Sequence, residues 1–336
     1  MIPTTSSSST KRDHHFVPQL HLNYFVGSQP PGHIWTYSKK SQKSFSSIPK
    51  ETGFSKYYYG IRKEDGGIDN SIEDNFSEIE SRSSLIYQKL INENLNLLPE
   101  EKAQFSIFLA LMKFRSPAAR RIYADGYSKF IQIHAYAKTV NEDSFNEYMR
   151  EYQKNTGEIF NKSEKDEIRS DLKDMSRFLI NIPQEQTLAT LNSVNPLAKI
   201  LIEMEWSVGR LINGYFVTTD NPLIHDVDRK TIHPIYGGFG FENKTCQVIF
   251  PLSHKKILFL SWTKNQPIFD VPKSFVNQIN KALISRSENF VYSHIRHKDI
   301  SKLVDSLKNV REEMEIFSFG PEKFAETKIN RNWTKK

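Results

Sequence analysis

The chain has a single cysteine, Cys246, among its 336 residues. One thiol excludes an intramolecular disulfide framework and a zinc site built from cysteines. No apolar run approaches the roughly 18 residues of a membrane-spanning helix. The residues after Met1 also lack the apolar core of a secretory signal. We therefore expect a cytoplasmic protein with no membrane partner.

Motifs of the common nucleotide and hydrolase sites are absent as well. The sequence contains no Gly-x-Gly-x-x-Gly, no P-loop, no Gly-x-Ser-x-Gly and no His-Glu-x-x-His. The glycine-rich stretch 237–240 matches neither a P-loop nor a dinucleotide fingerprint. These absences count against nucleotide-cofactor enzymes and the motif-bearing hydrolases, and no metal ligand set or cofactor is predicted.

Charge and aromatic content are what the chain does have. It carries 46 basic and 39 acidic residues, a formal net charge of +7, with 23 Phe and 14 Tyr. A basic excess indicates an anionic partner such as nucleic acid. Part of that excess lies at Lys11-Arg12 and Lys335-Lys336, where improved solubility is an equal explanation. Composition does not identify a protein partner, and the helical residues 125–206 are a candidate interaction surface for one.

Strand patterns lie towards both ends of the chain, and helix patterns lie between them. Apolar residues at helical spacing predict a helix from near Ser71 and another from Pro99, within a helical region at 70–206. A last amphipathic helix is predicted at 299–316. Strands are predicted at 33–38, 215–219, 247–250 and 257–262. Separate runs of strands and helices favour an α+β fold, with N-terminal strands joined to a C-terminal mixed or antiparallel sheet.

The same patterns predict the domain organisation. Residues 1–12 are small and polar and are expected to form a disordered tail. Residues 13–320 are expected to form one α+β domain that includes the helical subregion 70–206, and residues 321–336 a second tail. Within the helical subregion, Ser163–Asp166 resembles a capping box that starts a helix.

Histidines and amides are interleaved with apolar residues in His14–Phe25. Buried polar groups need partners, so this segment is expected to pack against a specific site. His15 is a candidate general acid or base, and Gln19 and Asn23 are candidate binding residues. Adjacent strand residues face opposite ways, so His14 and His15 are not expected to share a metal. A buried histidine bonded to a backbone carbonyl is the alternative interpretation.

A second candidate group follows a predicted strand at Asp220-Asn221-Pro222. A carboxylate at a strand end is rigidly presented, so Asp220 is a candidate catalytic residue that faces His15 if the N-terminal segment lies on the C-terminal sheet. Asn221 and His225 are candidate binding residues. The alternative is turn chemistry, in which Asp220 accepts backbone N–H bonds.

Two arginines flank a helix break at Pro117. Arg115 is a candidate phosphate clamp and Arg120 a candidate binding residue, because the guanidinium fork binds phosphate and carboxylate in a bidentate way. Pairing with Glu78 or Glu80 on the preceding helix is the alternative.

The arrangement of motifs resembles the bacterial uncharacterised family DUF4238 over about residues 13–295. Its opening His-Tyr-Val-Pro-x-x-Tyr-Leu-x-x-Phe is similar to His15–Phe25, with Phe16 and His21 in place of the aromatic tyrosines. The other matching motifs are Ile34-Trp35-x-Tyr37, Ile72-Glu73, Ile79-Glu80, Phe114–Arg120, Phe216–Pro222 and Phe250–Ser253. The resemblance implies no settled activity. Some members of the family look like stress or phage-defence accessory proteins, so the resemblance implies a role of that kind.

Two classes of function remain open. The first is a nuclease-like hydrolase that acts on a phosphodiester through His15, Arg115 and Asp220. The second is a non-catalytic module of a defence or stress system that binds nucleic acid or another protein. Turnover that depends on His15 and Asp220 distinguishes the first from the second.

Overall fold

The computed structural model describes residues 12–175, 180–233, 238 and 240–312, and it confirms an α+β fold. The described helices are α1 (Gln19–Leu22), α2 (Ser71–Ile91), α3 (Pro99–Phe114), α4 (Pro117–Val140), α5 (Glu142–Thr156), α6 (Lys162–Lys173), α7 (Val194–Glu203), α8 (Lys273–Arg286) and α9 (Lys298–Ser306). The described strands are β1 (Asp13–His15), β2 (Ile34–Ser38), β3 (Ser44–Ser47), β4 (Phe54–Lys56), β5 (Ile61–Arg62), β6 (Ile68–Asp69), β7 (Glu205–Leu211), β8 (Thr218–Thr219), β9 (Ile224–Asp226), β10 (Gln247–Pro251), β11 (Lys256–Ser261), β12 (Ile268–Val271) and β13 (Phe290–Ser293). The chain divides into two compact units, Met1–Arg120 with Leu188–Lys336, and Arg121–Thr187.

The four-stranded sheet of the first unit joins the two ends of the chain, as predicted. Its order is β3-β2-β13-β8, so N-terminal β2 pairs with C-terminal β13 in antiparallel register. A five-stranded sheet has the order β12-β7-β11-β10-β9 and is mixed, because β12 runs parallel to β7. Two further ribbons pair β1 with β4 and β5 with β6.

Helices α2 and α3 pack on the core of this unit through the residues whose spacing predicted them. Pro99 occupies the first turn of α3, where its missing N–H costs nothing. Phe105, Phe108 and Met112 of α3 are fully buried, and Phe76 and Leu90 of α2 are buried beside them in one cluster. Of the two helices, α2 carries side chains that line the candidate site.

The second unit contains α5, α6 and most of α4. Its described core is small, because α5 buries only Phe145 and Met149 and α6 buries no residue. Arg169 of α6 donates to the carbonyl of Thr139 at 3.1 Å. The capping box of α6 is formed by Asn161 and Glu164, so its predicted start at Ser163 is two residues late.

Three further predicted element boundaries are wrong. The strand predicted at 215–219 contains only β8, because the Val217 N–H donates to the side chain of Asn280 instead of to a neighbouring strand. The helical region predicted to reach 206 ends earlier, since Trp206 pairs with Leu260 in β7–β11. The last helix ends at Ser306, and residues 313–316 of its predicted range lie outside the described residues.

Other predictions fall wholly or partly on residues that the structure does not describe. These are the N-terminal tail except Arg12, the C-terminal tail 321–336, and part of the glycine-rich stretch 237–240. Among the helices that are described, none combines the length and apolar character needed to cross a membrane.

Candidate functional site

The two adjacent histidines of β1 face opposite ways, as strand geometry requires. His14 is fully buried, and its Nδ1 accepts the N–H of Tyr59 at 3.0 Å. Its ring lies parallel to the ring of Tyr59, with centroids 6.0 Å apart. The contacts of His14 therefore fix β1 to the loop that follows β4.

His15 lines a pocket of about 320 Å³ on the first unit. Its side chain is only 8% exposed, and its Nε2 has no hydrogen-bond partner among the described residues. The ring packs against Phe54 of β4, with centroids 5.4 Å apart. Burial, and then the charge of Arg115, lower the pKa of His15 below its ordinary 6.5. The imidazole is therefore neutral at pH 7, as a general base must be.

The remaining pocket residues come from three segments of the chain. The lining contains Arg12, Asp13, His15, Gln19, Lys50, Glu73, Ser77 and Glu80. Glu73 and Glu80 stand two turns apart on α2, which places both on one face of the helix. The Oε1 of Glu73 accepts the backbone N–H of His15 at 3.4 Å. Arg12 and Lys50 are exposed and supply two cations.

Sequence reasoning did not place Glu73, Lys50 or Arg12 at the site. The seven-residue repeat of Ile-Glu at 72–73 and 79–80 was the one available signal, since it predicts a shared helix face. No local pattern connects Lys50 or Arg12 to α2.

Arg115 lies behind this pocket and is fully buried. Its Nη1 donates to Glu80 Oε1 at 2.7 Å, and its Nη2 donates to the carbonyl of His15. Burial opposes its charge, but Glu80 and Tyr59 keep the pKa of Arg115 above its ordinary value. The structure thus shows the alternative pairing with Glu80, and it brings Arg115 to the backbone of His15 instead of to an open surface.

Asp220 is fully buried after β8, and backbone donors occupy its carboxylate. Its Oδ1 accepts the N–H of Glu288 at 2.9 Å, and its Oδ2 accepts the N–H groups of Asn289 and Phe290 at 2.7 and 3.0 Å. Burial raises the pKa of Asp220 to about 6, although these three donors lower it. No hydrogen bond joins Asp220 to His15 in the part of the chain that the structure describes. Asp220 therefore accepts backbone N–H bonds, as in the alternative interpretation, but the donors come from the loop before β13 and the first residue of that strand, and not from the turn that contains Asp220.

The candidate binding residues are spread over different surroundings. Gln19 lines the His15 pocket, whereas Asn23 is exposed at the end of α1. Arg120 is buried, donates to the carbonyl of Tyr58 at 2.6 Å and lies over that ring. Asn221 donates to the carbonyl of Arg286 at 3.0 Å, and the ring of His225 packs on Phe241.

His21 connects the N-terminal motif to β8 through a chain of hydrogen bonds. The Tyr87 hydroxyl donates to the carbonyl of Leu252 at 2.7 Å, so it must accept from His21 Nδ1, 2.9 Å away. The other ring nitrogen, Nε2, then accepts the Thr218 hydroxyl at 2.7 Å. Full burial lowers the pKa of His21 to about 3, so this ring stays neutral.

The other candidate reactive groups and pockets are less suited to catalysis than the His15 pocket. The described residues contain no group of three or more His, Cys, Asp or Glu placed to hold a metal ion. Cys246 is fully buried, and burial raises the pKa of its thiol to about 12.

A larger pocket of about 500 Å³ lies along α8 and α9. Its amide Asn280 is committed to structure, since it accepts from Val217 and donates to the carbonyl of Tyr215 at 2.8 Å.

Comparisons with known proteins bear on the segment that contains this site. A family model described as a protein of unknown function (DUF4238) matches residues 13–297. The matched segment includes His15, Glu73, Arg115 and Asp220. No curated protein and no solved structure showed significant similarity to the chain.

Proposed function

The chain belongs to DUF4238, a family of unknown function, and we propose that it is a phosphodiester hydrolase whose general base is His15. The observation that carries the proposal is the His15 ring, which lines a pocket while its Nε2 has no hydrogen-bond partner among the described residues. Leaving a buried polar atom unpaired costs free energy, so each such atom needs an explanation, and a catalytic role is one of them.

The surroundings of His15 suit proton transfer. Its lowered pKa keeps the imidazole neutral at pH 7 and able to accept a proton from an attacking hydroxyl. Glu73 and Arg115 hold the backbone of His15 from its N–H and its carbonyl. In this proposal Arg115 is a positioning residue, because it contacts His15 and Glu80 from a fully buried site.

The pocket is lined by two exposed cations, Arg12 and Lys50, and by the carboxylates of Asp13, Glu73 and Glu80, of which Glu80 is paired with Arg115. Arg12 and Lys50 can bind the phosphate oxygens. In this proposal they, and not Arg115, form the phosphate clamp. The net charge of +7 favours nucleic acid as the source of the phosphodiester. Asp220 contributes to this function by holding the loop before β13. A nuclease of this kind fits the stress or phage-defence role that the family resemblance implies.

A non-catalytic nucleic-acid or protein-binding module is the second candidate. It is favoured by the structural contacts that occupy two of the three predicted catalytic side chains, Arg115 and Asp220. A binding module needs only the charge and shape of the pocket, without a proton acceptor.

Turnover assays on RNA and DNA oligonucleotides separate the two candidates. We expect the wild-type protein to cleave at least one of them, with or without Mg²⁺, and His15→Gln to lower the rate by about 10²-fold or more. His134→Gln, at an exposed position of α4, is the matched control and should keep the wild-type rate. Salt-sensitive binding without cleavage by any of the three proteins would establish the binding module instead.

A further inference from the structure

The carboxylate of Glu312 is enclosed by donors from the body of the protein. The Lys113 Nζ lies 2.8 Å from its Oε1 and 2.9 Å from its Oε2, and Asn221 Nδ2 lies 2.6 Å from Oε2. Lys113 is only 7% exposed. Both oxygens of the carboxylate therefore have a partner that is itself largely removed from water.

The electrostatics of this cluster favour an anion. Burial raises the pKa of Glu312, but the charges of Lys113 and Arg286 outweigh it and hold that pKa at about 2. Arg286 is also 3.9 Å from Asp226 and donates to the carbonyl of His225. Without a carboxylate at this point, Lys113 would be a buried cation with no counter-charge, which is a strongly unfavourable state.

The parts of the cluster come from different regions of the chain. Lys113 lies in the last turn of α3, Asn221 follows β8, and Arg286 ends α8. All three lie within the segment that matches the family, residues 13–297, whereas Glu312 lies outside it.

We propose that Lys113 and Asn221, with Arg286 beside them, form a binding site for a phosphate-type oxyanion, and that Glu312 occupies this site as an internal competitor. Phosphate oxygens accept hydrogen bonds from ammonium and amide donors in the way the Glu312 carboxylate does. A bound phosphate displaces the Glu312 side chain from these donors. The site involves none of the residues that line the His15 pocket, so it stands independently of the proposed hydrolase activity.

The test uses the full chain and inorganic phosphate as the probe. Thermal unfolding is followed as phosphate is titrated, since a ligand that binds the folded state raises the midpoint temperature. We expect Glu312→Gln, which keeps the size of the side chain and one acceptor oxygen, to bind phosphate about 10-fold more tightly than the wild type or better. Adding Lys113→Gln to that variant should remove the gain.

Glu93→Gln is the matched control, because Glu93 pairs with Lys256 at 2.8 Å in another ion pair of the first unit. It should respond to phosphate as the wild type does. Glu312→Ala provides a second variant with the carboxylate removed, and it should show the same gain. An equal response in wild type, Glu312→Gln and Glu312→Ala, or a gain that survives Lys113→Gln, would overturn the proposal.

Repeating the titration with a nucleoside monophosphate and with an RNA oligonucleotide identifies the source of the anion. A gain limited to the small phosphates indicates a metabolite-type ligand, and a gain with RNA indicates a backbone phosphate. These readouts measure binding, so they remain decisive if the His15 pocket has no activity.

Discussion

At the scale of single residues, the histidines of the N-terminal motif lie in three environments. His14 accepts a backbone N–H, His15 lines a pocket, and His21 is bonded at both ring nitrogens. The sequence identified these residues as polar groups that need partners. It did not distinguish their roles, because the partners Tyr59, Tyr87 and Thr218 come from distant segments.

His21 should make the fold sensitive to acid. Its pKa is about 3 in the folded protein and ordinarily 6.5, so below pH 6.5 the unfolded chain binds a proton that the folded chain does not. Stability is therefore fully present above pH 6.5 and falls as the pH drops towards 3, by about 1 kcal/mol between pH 7.5 and 5.5. In His21→Gln this part of the pH dependence should disappear.

Urea unfolding at the two pH values measures the effect of His21. The control is His134→Gln, at an exposed site of α4, which should keep the wild-type difference between pH 7.5 and 5.5. An unchanged difference in His21→Gln would contradict the neutral, buried ring.

Asp220 should be required for folding more than for proton transfer. Asn has a single acceptor oxygen, so Asp220→Asn leaves at least one of the three backbone N–H groups facing an amide NH₂. We expect the free energy of unfolding to fall by about 2–4 kcal/mol.

Chemical denaturation of Asp220→Asn beside Asp228→Asn tests this expectation. Asp228 is an exposed helix cap that accepts one backbone N–H, so its loss should cost about 1 kcal/mol or less. Equal costs at the two positions would show that the buried carboxylate is not a structural anchor.

At the scale of elements, Arg115 joins α3 to α2 and to β1. It bonds Glu80 of α2 and the carbonyl of His15 in β1, and its own carbonyl accepts the Tyr59 hydroxyl at 2.8 Å. Lysine has no planar fork and cannot make both side-chain contacts in this geometry. Arg115→Lys should therefore lower the free energy of unfolding by about 2–4 kcal/mol.

Arg82→Lys is the matched control for Arg115→Lys. Arg82 pairs with Glu78 along α2, but its side chain is 66% exposed, so the same substitution should cost less than about 0.5 kcal/mol. A comparable loss in both variants, seen in urea unfolding, would argue against Arg115 as the buried link between the three elements.

Helices and strands were predictable from the sequence where one face of the element packs against the core. Helix α3 and strands β10 and β11 follow from apolar spacing, since Phe108, Val248 and Leu258 are fully buried at the positions that the spacing requires. The length of β8 was not predictable, because it depends on Asn280 accepting the Val217 N–H from 63 residues away. The lining of the His15 pocket was only partly predictable for the same reason, because Lys50 and Glu73 come to it from separate segments of the chain.

At the scale of the whole molecule, the two compact units differ in how much they bury. Helix α3 of the first unit buries eight residues, whereas α5 buries two and α6 none. Local opening costs less free energy where fewer apolar contacts are lost. Backbone amides of α5 and α6 should therefore exchange with deuterium about 10²-fold faster than those of α3.

Hydrogen–deuterium exchange read by mass spectrometry on proteolytic peptides measures this difference. The comparison of α3 with α6 within one sample serves as its own control for pH and temperature. Protection of α6 equal to that of α3 would show that the second unit owes its stability to something other than its described core.

The proposal that His15 is a general base is tested most directly by the pH dependence of cleavage. Initial rates on the oligonucleotide that is cleaved best would be measured from pH 4 to 8 in wild type and His15→Gln. Because burial lowers the pKa of His15, the wild-type rate should fall on the acid side with a midpoint below the ordinary 6.5, and this limb should be lost in His15→Gln along with most of the rate. An acid limb that is unchanged in His15→Gln, or no cleavage by the wild type at any pH, would contradict the account.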